Sequence, residues 1–212
     1  MNKDENQNWE GRKWITSSDR REGKDAVIRF LSYHIFPDYN KGDSVSYSTT
    51  RAWSLRGSRL LNEILSYDPS IACLQEFDHL NDWWQPRLGN KGYDICACPR
   101  TRFRETSLIE YVGVVFKSSL FQLFKSVHVE LNKCCDTSRD LSSSFKDRCK
   151  TDDVGIIVFL QPWSTEADNK YIPTALCIAT CMVSDRAADA DVRKQQIEYF
   201  CNQIEIANSE FH

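Results

Sequence analysis

The sequence predicts an α/β fold rich in sheet. Three observations carry this: apolar runs of strand length recur along the chain, two longer stretches have helical spacing, and the first strand, helix and strand follow one another directly. Ala26 to Tyr33 (AVIRFLSY) has the β-branched and aromatic bias of a strand. Pro37, Asp38 and Asn40 supply turn chemistry after it, so His34 falls at a strand's C-terminal end. Between Thr50 and Tyr67, Leu60, Leu61, Ile64 and Leu65 form a helical stripe that stops before Asp68-Pro69, because the residue ahead of proline disfavours the helical region. Ile71 to Gln75 (IACLQ) reads as a buried strand and delivers Glu76 at its end. Further strand signals lie at Tyr93 to Cys98, Val112 to Phe116, Phe121 to Leu131, Val154 to Leu160 and Thr174 to Met182. Lys133 to Asp153 is rich in Ser, Asp, Lys and Arg without apolar periodicity and is expected to be an exposed loop. Asp191 to Ala207 closes the chain as an amphipathic helix through Ile197, Phe200, Cys201 and Ile204.

The composition fits a globular domain: 212 residues, 41% hydrophobic and 27% charged, with 27 Lys+Arg against 30 Asp+Glu for a net charge of −3. That length favours one domain. Residues 1 to 25 are read as a polar leader carrying Trp9 and Trp14, and residues 26 to 212 as the folded body. A near-neutral chain holds a phosphate backbone only through a local groove. No run of about 18 uncharged apolar residues is present and the first ten residues lack an apolar segment, so neither a membrane span nor a secretory signal is expected. The expected location is intracellular, in cytoplasm or nucleus. The nine cysteines include no CxxC pair. Cys96/Cys98 and Cys134/Cys135 have the wrong spacing for a tetrahedral metal site, so all nine are expected as reduced thiols, with Cys73, Cys177 and Cys181 buried as small hydrophobes.

Glu76 is the foremost candidate for chemistry, because a carboxylate at the end of an apolar strand sits at the rim where α/β sheets bind ligands. On position alone it serves equally as a divalent-metal ligand or as a cap for a helix around Asp78 to Trp84. His34 is a structural histidine or a ligand. Arg100, Arg102 and Arg104, alternating around Phe103, line a nucleic-acid groove or a solvated loop. Trp83 and Trp84 stack bases or pack. There is no phosphate-cradling glycine-rich loop, no HExxH and no GxSxG.

Several blocks, in order, resemble one family: FLSYHIFPDY, Trp53-Ser-Leu-Arg56, LLNEILSYDPSIACLQEFD, WWQPRLGNKGYD, VGVVFKSSLFQL and TDDVGIIVFLQP. Together they are similar to the nocturnin, Angel and carbon-catabolite-repressor deadenylase branch of the endonuclease/exonuclease/phosphatase family, across about residues 11 to 207. Arg12-Lys-Trp14 is also similar to the fungal Ngl-type members. The resemblance implies a two-sheet α/β sandwich with a Mg²⁺ site that hydrolyses phosphodiesters, removing nucleotides from an RNA 3′ end. Glu76, in LQEFD, matches the family's metal-binding glutamate.

The departures are as specific as the matches. His34 stands where the family has an asparagine; its ring reaches a metal or a phosphate but lacks the amide's geometry. The family's NTH word aligns with Thr180, Cys181 and Met182, without its histidine, and Glu110-Tyr111 replaces an Asp-Gly pair. Asp191 to Gln195 matches the start of the penultimate helix, and neither the GDFN word nor the SDH word follows. The resemblance therefore implies a C-terminally incomplete domain with impaired hydrolysis. An exposed sheet edge would then leave it marginally stable or in need of a protein partner. The alternative is an inactive pseudo-nuclease that serves as an RNA- or protein-binding scaffold.

Overall fold

A computed structural model of the chain describes residues 28–37, 53–101, 109–136, 142–163, 175–183 and 187–210. The strands are β1 (Phe30–His34), β2 (Ile71–Phe77), β3 (Tyr93–Pro99), β4 (Tyr111–Lys117), β5 (Phe121–Glu130), β6 (Val154–Pro162) and β7 (Leu176–Cys181), and the helices are α1 (Trp53–Ser66), α2 (Gln85–Gly89), α3 (Ser143–Arg148) and α4 (Ala190–Ser209). β1, β2, β4 and β3 form one sheet in that order; β5, β6 and β7 form a second. β1 runs parallel to β2, the pairing that a strand, helix, strand unit produces, and every other pairing is antiparallel.

Because side chains alternate across a strand, each sheet has two faces to cover. From β2 and β4, Ile71, Val112, Val114 and Phe116 point to the second sheet, where they meet Phe121, Val154, Ile156, Val158 and Leu160. The opposite faces take helices. Ala72, Leu74 and Phe77 pack under Leu61 and Ile64 of α1 and Leu88 of α2. Ile157 and Phe159, the alternate residues of β6, pack against Phe200 and Ala207 of α4. The molecule is thus an α/β/β/α sandwich, with β6 apolar on both faces at its centre. Gly155 sets how closely α4 approaches, since a Cβ there would collide with the Phe200 ring. Among the described residues no helix is long and apolar enough to cross a membrane.

Three expectations are corrected. Lys133 to Asp153 is not an exposed loop throughout: a 3₁₀ turn (Leu131–Cys135) and α3 occupy its described residues, and Cys134, Cys135 and Cys149 are buried with Val192 of α4. Periodicity missed them because cysteine supplies this small core in place of aliphatic residues. The cysteines are not all free. Cys135 and Cys149 are joined as a disulfide, with Cα atoms 6.6 Å apart. Cys73, Cys177 and Cys181 are only partly buried, although each packs against a core cluster. Trp9 and Trp14 lie outside the described residues.

Candidate active site

One end of the sandwich gathers polar side chains from the ends of six strands, beginning with Glu76. Leu74 and Phe77 both face the helices although two residues separate them, so β2 carries one residue more than β4 can pair. The bulge falls on Gln75 and Glu76, and Glu76 adopts the left-handed region at φ 52°. A non-glycine residue stays there only when its surroundings hold it. The result lifts the Glu76 carboxylate out of the ladder to the rim. There its Oε2 accepts from His34 Nε2 at 2.8 Å and its Oε1 lies 3.6 Å from Arg100 Nη2. It caps no helix: the π-helical turn at Leu80–Trp84 starts after His79, without a side-chain cap.

His34 is placed by the β1–β2 register, which sets it beside Gln75. Arg56 of α1 holds the chain just beyond, donating to the carbonyls of Ile35 and Phe36, the latter also left-handed at φ 63°. His34 is thus brought to Glu76 rather than left as an isolated strand-end histidine, and its side chain remains 57% exposed.

Arg100 is the residue whose role the sequence conceals. It sits just past β3, where its amide extends the ladder to the Glu110 carbonyl at 2.9 Å. Its guanidinium pairs with Glu110, with Asp152 at 3.0 Å and with Asp153 at 3.3 Å, besides Glu76. At 11% exposure it neither lines a groove nor floats in a loop. Four carboxylates around one buried cation account for that burial, since buried charge is stable only when paired and hydrogen-bonded. Arg102, Phe103 and Arg104 lie outside the described residues. Asp152 and Asp153, at the entrance to β6, belong to the TDD word, whose acidic pair looks like ordinary loop chemistry until Arg100 is found against it.

Burial pushes the Asp153 carboxyl above its ordinary range, opposed by hydrogen bonds from Gln196 and Thr151 and by the Arg100 charge. Gln196, buried on α4, donates to Asp153 at 3.0 Å, which ties the rim to the outer helix. On β7, Thr180 accepts from Gln75 Nε2 at 2.9 Å and Met182 Sδ lies 3.9 Å from Arg100. Of the residues that align with the NTH word, Thr180 and Met182 thus reach the rim, with the Met182 thioether at the histidine's position.

The tryptophans are packing residues. Trp84 is fully buried against Phe77, and Trp83 lies edge-on to Trp53 beneath the Arg87 guanidinium, 3.4 Å above its ring. Indoles packed edge to face, one buried and one covered by an arginine, are poorly placed to stack a base.

The rim suits a divalent cation. Four carboxylates face one guanidinium, so negative charge remains in excess, and carboxylate oxygens are the hard donors that magnesium takes. The Glu76 side chain is 19% exposed, enough for an ion that keeps several waters.

No family model matches the chain. Among curated proteins it is 30% identical over 191 residues to carbon catabolite repressor protein 4 homolog 1 of Arabidopsis thaliana, covering 82% of this chain and 32% of that protein. It is 26% identical over 194 residues to the CCR4-Not complex 3′-5′-exoribonuclease subunit Ccr4 of Mycosarcoma maydis, covering 85% and 28%. The chain thus spans about a third of the length of the curated relatives it matches. Among solved structures, the human nocturnin catalytic domain superposes with a TM-score of 0.63 at 24% identity, over 85% of this chain and 60% of that one. In sequence and in fold, the likeness of this chain falls on the CCR4 and nocturnin branch of the endonuclease/exonuclease/phosphatase family.

Proposed function

We propose that this chain carries the metal-binding part of a Mg²⁺-dependent phosphodiester hydrolase that acts on RNA from its 3′ end, and that its own hydrolysis is impaired. The observation that carries the reading is the bulge that presents Glu76, partly exposed, beside an excess of carboxylates. The exoribonuclease named among its relatives supports an RNA substrate, which would place the protein in the cytoplasm or nucleus. Glu76 would hold the ion. When bound, magnesium would offset charge on the scissile phosphate and lower the pKa of an attacking water. His34 donates to whichever carboxylate oxygen the ion leaves free, and Arg100 fixes the orientation of Glu76 while neutralising Glu110 and Asp153 behind it. Met182, aligned with the histidine of the NTH word, offers a thioether where an imidazole would bind phosphate. This shortfall, with the asparagine-to-histidine change at residue 34, is the reason to expect weak turnover, since one missing transition-state donor costs about 10²- to 10³-fold in rate.

The test is a 5′-labelled RNA incubated with the chain, with and without Mg²⁺, alongside Glu76→Gln. Slow shortening that needs Mg²⁺ and falls at least about 10²-fold in Glu76→Gln supports hydrolysis at this site. RNA binding that is equal in the two proteins, with no shortening in either, establishes the scaffold reading instead. A partner protein on the second sheet belongs to the same proposal: among the described residues β7 pairs only with β6, which leaves its other edge to be covered.

A further inference from the structure

Cys134, Cys135 and Cys149 place three sulfurs within 4.8 Å of one another, away from the Glu76 rim and buried to 0%, 5% and 1% exposure. The 3₁₀ turn Leu131–Cys135 supplies two of them and the residue after α3 supplies the third, brought together over α4 with Val192, Phe145 and Tyr199 around them. A disulfide between Cys135 and Cys149 uses two of the three sulfurs. The Cys134 Sγ lies 3.6 Å from that of Cys135. Two thiolates on one tetrahedral zinc, each at about 2.3 Å, lie roughly 3.8 Å apart, so the adjacent pair already has the spacing of two ligands of a single ion.

We propose that the reduced trio is a binding site for one soft, thiophilic d¹⁰ cation, which holds the segment between β5 and β6 onto α4. Two thiols of a small-molecule reductant give up two electrons and two protons to the Cys135–Cys149 bond, becoming their own disulfide and leaving two cysteine thiols. Each of the three cysteine S–H groups then releases its proton to solvent as its sulfur takes the metal. Three thiolates satisfy Cu(I) in a trigonal site and leave the fourth position of Zn(II) to a carboxylate or water. Either ion would be distinguished from magnesium at Glu76, because hard cations avoid thiolate and soft ones prefer it. A clamp here has a physical purpose. The small cluster buries few apolar side chains, and segments with so little core are commonly held by a disulfide or a metal.

The experiment takes the full 212-residue chain, reduced under inert gas and freed of metal, and titrates it with Zn(II), Cu(I) and, as a spectroscopic probe, Co(II). Expected is one ion per chain in native mass spectra, a thiolate-to-cobalt charge-transfer band, and protection of three cysteines from alkylation by bound Zn(II) or Cu(I). Cys134→Ser and Cys149→Ser should lose the ion, while Cys201→Ser, on the exposed side of α4, should keep it. The proposal is overturned if the reduced chain gives no charge-transfer band, if fewer than three thiols are protected, or if Cys134→Ser binds as well as the parent. The wild-type band and alkylation count decide the matter even if a variant fails to fold, and neither depends on whether the chain hydrolyses RNA.

Discussion

The core between the two sheets and the rim at their ends meet at adjacent residues where β6 begins, yet they follow opposite rules. Val154, Ile156, Val158 and Leu160 are held by apolar contact alone, and any residue of similar shape would serve. One position earlier, Asp153 is held by Arg100 and Gln196, and there the identity of each partner matters. In the core, stability grows with area and is nearly independent of pH. At the rim, charge is balanced through one guanidinium, so stability depends on its presence and on protonation.

Arg100→Leu breaks the comparison hardest. Removing the cation leaves Glu76, Glu110, Asp152 and Asp153 facing one another with little water, and losing one partner of a buried charge network costs about 3–5 kcal/mol. The pH dependence separates this from a packing defect. Burial already holds the folded pKa of Asp153 above its unfolded value, so its contribution is fully present below the unfolded pKa and is lost as pH rises through the folded one. Without Arg100 that folded pKa rises further. The deficit of Arg100→Leu should therefore be greatest at neutral pH and shrink as pH falls toward the carboxylate range, near 4. Denaturant midpoints for both proteins across that range decide it; a deficit that does not change with pH would show that Arg100 acts through packing.

Gly155→Ala sharpens the other side of the comparison. The added Cβ would lie 2.8 Å from Phe200 Cζ in a close-packed contact between β6 and α4, and overpacking of that kind costs about 1–3 kcal/mol. No charge is involved, so its loss of thermal stability should not vary with pH over the same range. Recovery of stability in Gly155→Ala, Phe200→Leu would identify the ring as the cause.

Thr180→Val tests the seam between the two regions, where the Gln75 amide crosses from one sheet to the other. The bond is worth about 0.5–1.5 kcal/mol, and the lower end is expected because Gln75 Nε2 also lies 3.2 Å from both Ser32 Oγ and the Cys73 carbonyl. Hydrogen exchange at the ends of β2 and β7 should accelerate while the interior of β6 stays protected.

The same division explains what the sequence makes legible. Strand positions for β2, β4 and β6 follow from apolar runs, because burial on both faces of a sheet leaves a composition that few other elements require. α1 follows from its stripe and its proline stop. Glu76 stands out for a related reason, as the first charge after such a run. Arg100 does not, since its four partners come from β2, β4 and the entrance to β6 and meet only after both sheets have formed. The cysteine trio is hidden likewise: adjacent Cys134 and Cys135 fit no metal spacing until α3 returns Cys149 to them. Local signals reveal elements and strand ends, while groups assembled across elements have to be seen in space.

The smallest effect belongs to a second ion cluster, at the opposite end of β2, where Asp68 accepts from Lys117 and from Arg29 Nη1, the latter at 2.7 Å. It has the chemistry of the rim without the burial, for Asp68 is 56% exposed. The Lys117 hydrogen bond, helped by the Arg29 charge, holds its carboxyl below the usual range. A depressed folded pKa makes a contribution that is present above the unfolded value and lost as pH falls through the folded one, the reverse of Asp153 and at more acid pH. In water such a pair is screened, so Lys117→Met should return the Asp68 titration, followed by carboxyl NMR, toward its ordinary value with little change in the denaturation midpoint. Added salt should erase the shift at Asp68 and leave that of Asp153 in place, because the counterions that reach an exposed turn do not reach a carboxylate enclosed by Gln196 and Arg100. If salt moved both alike, burial would not be what separates the rim from the surface, and the strong dependence expected of Arg100→Leu would lose its basis.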